Sequence, residues 1–363
     1  MTAPKKIVIA AGGTGGHIFP ALSVAQALRE RYSDIALLWI GTYRSRETEL
    51  CKKNGIPIMI LDVVGISRKV SFRIIVAIVT FLRAVVSVKR QFRRDRPIAI
   101  VAFGGYVCAP VLSAAVLKKI PFYLHEQNTI AGLVNRIFSR YSRRMFLGFP
   151  LAGKTTVKAI TEVTGTPVRT GVGSYEKFSY PAGLDRTKKT VLICGGSQGA
   201  KSMNDCLAGA VTKWTQHGLQ VIWQTGEPSH TDIMQKFSQN KDVFVFPTLD
   251  DLYPYYAVSK LVVGRAGAST LAEVSFFGLP CVMVPLPWAA ENHQWMNAGF
   301  VESQGWGIRV AQDGRCGENV AKTVETILSD EKRYNAMCMK ALDNSPSDAA
   351  EKIACALAKD LDL

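Results

Sequence analysis

The sequence contains no apolar run approaching the about 20 residues that a membrane-spanning helix needs. In its most apolar basic stretch the longest uncharged run is Ile74 to Leu82, nine residues. It has no CxxC pair and no Cys/His cluster. Its eight cysteines lie scattered, which speaks against structural zinc and for thiols kept reduced in a cytosolic setting. No Gly-Lys-Ser/Thr follows a glycine loop, so there is no P-loop. No DxD pair is placed to hold a metal; Asp250-Asp251 fits better as the cap of a helix beginning near Leu252. The first expected strand begins within six residues of Met1, so no signal peptide is expected. Acidic residues are scarce: 29 Asp and Glu stand against 44 Lys and Arg, a net charge of +15. That balance favours an anionic partner, whether nucleic acid, acidic lipid or phosphorylated substrate.

What is present is glycine in informative places. Residues 7–20 read IVIAAGGTGGHIFP: an apolar strand, then Gly12, Gly13, Gly15 and Gly16 around Thr14, then His17 and a helix-like stretch through Leu28. Such a turn brings backbone close to a ligand and aims the N–H groups of a first helical turn at an anion. The positive end of the helix dipole biases His17 towards the neutral form, able to accept a proton. The spacing is not that of a dinucleotide fingerprint, because the next expected strand, 36–40, ends in Gly41, Thr42 and Tyr43 without an acid. Taken alone, the same turn also serves simply to pack a helix on a strand.

The glycine motif has an echo at 190–208, TVLICGGSQGAKSMNDCLA, with Gly195, Gly196 and Gly199 after a strand. The chain of 363 residues therefore reads as two doubly wound α/β halves. Strands are expected near 5–11, 35–40, 58–62, 98–103, 121–125 and 144–147, then near 190–195, 219–225, 242–246, 260–264 and 280–285. The expected domains are 1–165 and 166–345, with a C-terminal helix, 346–363, packing back on the first.

Between Gly65 and Arg96 nine Lys and Arg face one Asp. This segment fits a helix lying on an anionic bilayer, and equally one buried against the sheet with a solvated basic end. Lys118, Lys119, Arg136, Arg140, Arg143 and Arg144 add to the basic character of the same half.

A third anion-ready helix start occurs at GRAGASTLAE, residues 264–273. Backbone N–H groups at 268–270 and the Thr270 hydroxyl can hold a diphosphate, and Glu273 can accept from ribose hydroxyls. Farther on, Glu291, Asn292, His293, Gln294 and Asn297 suit sugar hydroxyls, or caps and surface.

Five segments in order, AAGGTGGHIFPALSVA, AFGGYVCAP, HEQNTIAG, CGGSQGAKSMN and GRAGASTLAE with GLPCVMVPLPWAAENHQWMNA, resemble glycosyltransferase family 28, the bacterial enzymes that make lipid II. The resemblance spans nearly the whole chain. It implies a GT-B fold of two Rossmann-like domains, and inverting transfer of N-acetylglucosamine from UDP-N-acetylglucosamine to lipid I in peptidoglycan synthesis. It implies no cofactor, no metal and no nucleic acid. It also implies a peripheral place on the cytoplasmic face of the inner membrane, with anionic phospholipid and cell-wall synthesis proteins as further partners. By matching motifs, Thr14, His17, Glu126 and Asn128 line the acceptor side or reaction centre; His17, on its glycine loop and neutral, is the candidate catalytic base and Glu126 the alternative. Substrate binding falls to Thr14, Gly15, Gly16, Asn128, Arg169, Ser197, Thr270, Glu273, Gln294 and Asn297, and the acceptor diphosphate to Gly12, Gly13, Gly104, Gly105, Gly195 and Gly196. Arg265 is a further cation for the UDP leaving group. One departure from the family pattern is Thr166 in TGTPVR, where Asn is usual.

Three other readings make different demands. A nicotinamide-dependent oxidoreductase would need the missing acid after the second strand. A GT-B epimerase would need no lipid and no basic apolar segment. A basic RNA-binding module would need aromatic stacking positions among its cations, and few are present.

Overall fold

The computed structural model describes residues 5–43, 47–63, 73–153, 157–169, 181–195 and 200–363, without the side chains of Arg73, Ile74 and Ala290. The chain divides into two units, Met1–Arg169 with Ser347–Leu363, and Thr170–Pro346.

In the first unit the strands are β1 (Lys5–Ala10), β2 (Ile35–Gly41), β3 (Ile58–Ile60), β4 (Ala99–Ala102), β5 (Phe122–Glu126), β6 (Arg144–Leu147) and β7 (Thr161–Val163). They form one parallel sheet in the order β3-β2-β1-β4-β5-β6-β7. The helices are α1 (Gly15–Arg31), α2 (Glu47–Lys53), α3 (Arg73–Arg94), α4 (Cys108–Lys118) and α5 (Leu133–Phe138). Strand alternation divides the core. Ile7 and Ile9 of β1 join the cluster containing α1, while Val8 and Ala10 join the opposite cluster under α3 and α4.

The second unit has β8 (Thr190–Cys194), β9 (Gln220–Gln224), β10 (Val243–Phe246), β11 (Leu261–Gly264), β12 (Cys281–Met283) and β13 (Gly307–Arg309). Its sheet is again parallel, in the order β10-β9-β8-β11-β12-β13. Its helices are α6 (Lys201–Gln216), α7 (Glu227–Lys236), α8 (Tyr253–Val258), α9 (Ala268–Phe276), α10 (His293–Gln304), α11 (Cys316–Ser329) and α12 (Glu331–Asp343).

The last helix, α13 (Ala349–Leu361), belongs to the first unit. Ala350, Ile353, Ala354 and Leu357 enter the α1 core. Burying a side chain such as Ile353 or Leu357 contributes about 1.5–3 kcal/mol, so the apolar stripe is enough to anchor the helix. The Arg144–Asp360 ion pair at 3.0 Å ties its end to β6.

The doubly wound expectation holds in both halves, and each expected strand is present. Two strands were not legible. β7 and β13 are three-residue edge strands, and Thr-Glu-Val with its outer residues exposed carries no apolar run to mark it.

Candidate active site

In an open parallel sheet, ligands gather beyond the carboxyl ends of the strands where the strand order reverses. In the first unit the reversal lies between β1 and β4, and the two loops leaving them are the glycine loops at 11–14 and 103–107.

The two loops interlock. Gly104 and Gly105 have φ of 104° and 86°, values that L side chains rarely adopt. A Cβ on Gly105 would collide with the Gly12 carbonyl oxygen, and one on Gly104 would lie 3.0 Å from His17 Nε2. Glycine at both positions lets the second loop lie against the first. It also leaves room for the imidazole.

His17 lies in the first turn of α1, with Thr14 as the N-cap. Its Nδ1 is 3.2 Å from the Gly12 carbonyl oxygen, which can only accept, and 3.4 Å from the Thr14 hydroxyl, which can accept as well as donate; the carbonyl favours the tautomer with the proton on Nδ1 and the lone pair on Nε2. Burial lowers the imidazole pKa below 6.5, opposed by Glu126, by the Gly12 hydrogen bond and by Glu47. The result is a neutral imidazole whose basic nitrogen faces the second glycine loop.

Glu126, at the end of β5, is held by four hydrogen bonds. Its Oε1 accepts from the Asn128 backbone N–H and side-chain amide at 3.1 and 3.2 Å, and its Oε2 accepts from Gly132 N–H and Asn135 Nδ2, both at 2.8 Å. Four donors, three from the loop after β5 and one from α5, occupy the carboxylate and hold residues 126–135 together. The neighbouring residues are also fasteners. Gln127 Nε2 donates to the Phe103 carbonyl at 2.7 Å, at the entrance to the second glycine loop. His125 Nε2 lies 3.2 Å from the Gly165 carbonyl, and burial pulls its pKa down to about 4. The HEQN segment thus joins three loops. Beside it, Thr166 is buried with its hydroxyl close against the position a Gly148 Cβ would take. Arg169 lies over the Phe19 ring of α1, 5.3 Å from its centroid.

In the second unit the order reverses between β8 and β11. The loop after β8 begins at Gly195; Gly196, Ser197 and Gly199 lie outside the described residues. After β11 the chain turns through Arg265–Gly267 into α9, whose N-cap is Gly267. Thr270 and Glu273 are half-buried on that helix. Glu273 Oε2 accepts from the Tyr256 hydroxyl at 3.2 Å. Tyr256 is fully buried, and burial with the adjacent Glu273 pushes its ionisation far up, so it stays a donor.

Hydrogen bonds define the settings of four residues of this unit. Arg265 is not a loose cation beside the leaving group. It is buried, with Nη1 donating to the Val284 carbonyl at 2.9 Å and to Gln312 Oε1 at 2.6 Å, and Nη2 to Ser202 Oγ at 3.2 Å. Asn297 is fully buried and donates to the Ala266 carbonyl at 3.1 Å, which fixes the loop before α9. Gln294 uses its Oε1 to accept from Leu286 N–H at 2.9 Å, which turns its amide nitrogen into the group available for a ligand. Asp251, one residue before the N-cap Leu252, accepts from the N–H of Tyr253, the first residue of α8, at 3.1 Å.

Residues 7–147 match the glycosyltransferase family 28 N-terminal domain, and 190–353 the family 28 C-terminal domain. The UDP-N-acetylglucosamine--N-acetylmuramyl-(pentapeptide) pyrophosphoryl-undecaprenol N-acetylglucosamine transferase of Bacillus licheniformis is 34% identical over 354 residues, 96% of each chain. This chain belongs to glycosyltransferase family 28. The like-named enzyme of Halalkalibacterium halodurans is 34% identical over 353 residues, covering 96% of this chain and 97% of that one. The crystal structure of MurG from Acinetobacter baumannii superposes with a TM-score of 0.75 at 30% identity, over 98% of this chain and all of that one. Family 28 membership and the two Rossmann-like sheets make this a GT-B glycosyltransferase.

Sequence reasoning missed Glu47 and Tyr256. Glu47 sits among RSRETE, where four charges in six residues read as solvated surface, yet it is fully buried. Tyr256, in YPYY, gave no signal beyond an aromatic core.

Proposed function

We propose that this chain transfers N-acetylglucosamine from UDP-N-acetylglucosamine to lipid I, forming lipid II by a single inverting displacement. The observation that carries the mechanism is His17: a neutral imidazole with Nδ1–H pinned to Gly12 and Nε2 basic, at the reversal of strand order. An acceptor hydroxyl oxygen attacks the sugar C1 and its proton passes to Nε2. The bond from C1 to the UDP oxygen breaks, and its electron pair stays on the diphosphate. The N-terminal turn of α9, with Thr270, balances that charge, and Arg169 adds a cation. Glu273 receives the ribose hydroxyls and the Gln294 amide nitrogen a sugar oxygen. The Gly12–Gly13 and Gly104–Gly105 loops hold the acceptor diphosphate.

The test is incubation with labelled UDP-N-acetylglucosamine and a short-chain lipid I analogue. Label in the lipid-linked disaccharide with stoichiometric UDP supports the reading; conversion to UDP-N-acetylmannosamine without acceptor sinks it.

The first unit acts at an anionic membrane surface on the cytoplasmic side. Among the described residues no helix is long and apolar enough to cross a membrane. Instead α3 turns an apolar stripe outward. Ile75, Ile78, Val79, Leu82 and Val86 are exposed at helical spacing, while Ala77, Ala84, Val88 and Phe92 face the core. The adjoining turns carry the exposed Arg83, Arg90, Arg93 and Arg94. An exposed apolar stripe with flanking cations suits acyl boundary and phosphate headgroups, each cation near the surface being worth about 1 kcal/mol. Replacing Ile75, Ile78 and Leu82 by serine is expected to release the protein from anionic vesicles in sedimentation. Raised salt should do the same to the wild type, with turnover of a water-soluble acceptor retained. Equal sedimentation of both proteins at all salt concentrations would remove the stripe from the membrane contact.

A further inference from the structure

Glu47 is a fully buried carboxylate that the mechanism above does not use. It is the first residue of α2, and its oxygens point at the first glycine loop. Oε2 accepts from Thr42 N–H at 2.6 Å; Oε1 accepts from Thr42 Oγ1 at 3.1 Å and from Gly13 N–H at 3.2 Å. The Gly13 N–H and the Gly12 carbonyl are the two ends of one peptide group. The carbonyl end accepts from His17 Nδ1 at 3.2 Å.

We propose that Glu47 is a positioning residue for His17, acting through the Gly12–Gly13 peptide in a hydrogen-bonded chain of carboxylate, amide and imidazole. The inference rests on the reading of His17 as the base. Hydrogen bonds on the two ends of an amide polarise one another. The carboxylate draws on the N–H, the Gly12 oxygen gains negative charge, and it becomes a stronger acceptor for Nδ1–H. This fixes the tautomer that leaves Nε2 basic, and it stabilises the imidazolium that forms when Nε2 takes the acceptor's proton. A carboxylate bonded directly to Nδ1–H does the same in serine hydrolases; here it stands one peptide removed. Thr42 supplies the rigidity, because its two donors hold the carboxylate in place. A Cβ on Gly12 would lie 3.0 Å from Oε1, so glycine is also what lets the loop approach the acid.

The charges around His17 are consistent with this. Glu126 and Glu47 both favour the imidazolium. His125, whose pKa burial pulls down to about 4, is neutral and adds no positive charge beside it. Cys108, beside Glu47 on α4, is pushed up to about 12 and stays a thiol.

The experiment is Glu47→Gln, read by the ¹⁵N shifts and NMR titration of His17 and by kcat and donor KM against pH. In the wild type His17 should show one tautomer, protonated at Nδ1. In E47Q both tautomers should appear, and the His17 pKa should fall. The acid limb of kcat should move the same way. Turnover should drop roughly tenfold, less than for a directly bonded carboxylate, with donor KM unchanged. An unchanged tautomer and pKa in folded E47Q would reduce Glu47 to a loop fastener and overturn the proposal. Where E47Q fails to fold, Glu47→Asp withdraws the carboxylate from Gly13 while keeping its charge. Tautomer mixing there upholds the chain, and an unaltered imidazole overturns it. A shifted imidazole in E47Q together with full turnover in His17→Ala upholds the chain and removes His17 as the base.

Discussion

Replacing His17 by alanine is expected to lower kcat by about 10²–10⁴-fold, the usual worth of a positioned general base, while the donor KM stays near the wild-type value. The split follows from where the residue sits. His17 belongs to the first unit, and the Thr270–Glu273 helix start that the proposal gives to UDP belongs to the second. The pH profile carries the sign. Burial lowers the imidazole pKa below 6.5, and a base works only when unprotonated. Wild-type kcat should therefore rise with pH along an acid limb centred below 6.5, and that limb should vanish in His17→Ala. Gly104→Ala offers a second check, because its methyl would lie 2.9 Å from His17 Cδ2 and 3.0 Å from Nε2, at a φ that alanine rarely adopts, and so would crowd the imidazole. It should lose turnover on the same scale. If Glu126→Gln costs more than His17→Ala, the base is Glu126, despite the four donors that occupy its oxygens.

Glu273→Ala should raise the donor KM by roughly tenfold to a hundredfold, because a charge-assisted hydrogen bond is worth about 1.5–3 kcal/mol and about 1.4 kcal/mol is a factor of ten. The carboxylate is held in place by the buried Tyr256 hydroxyl at 3.2 Å, so its second oxygen is oriented before a ribose arrives. Tyr256→Phe should give a smaller rise in the same direction, through lost orientation alone. Isothermal titration with UDP separates binding from turnover. Wild-type affinity in a folded Glu273→Ala protein would take Glu273 out of the donor site.

The sequence by itself determined the architecture. Near-continuous apolar runs such as Ile7–Ala11 and Val191–Cys194 mark strands buried on both faces, and glycine turns into helix starts mark the places where a parallel sheet binds anions. It also placed His17, Thr270 and Glu273 on those helix starts, because the motif residues are contiguous. Which hydrogen bonds those residues make was decided only by tertiary structure. Glu126 reads in sequence as a second candidate base, and its oxygens accept from Asn128, Gly132 and Asn135. Arg265 and Asn297 read as ligand groups, yet both are buried on backbone carbonyls. Glu47 reads as surface and is buried thirty-four residues from Gly13, the backbone N–H that it accepts from. Helix and strand follow local periodicity, which a linear string carries. A buried polar group is satisfied by whatever donor or acceptor folding brings beside it, and those partners come from separate loops at the ends of neighbouring strands.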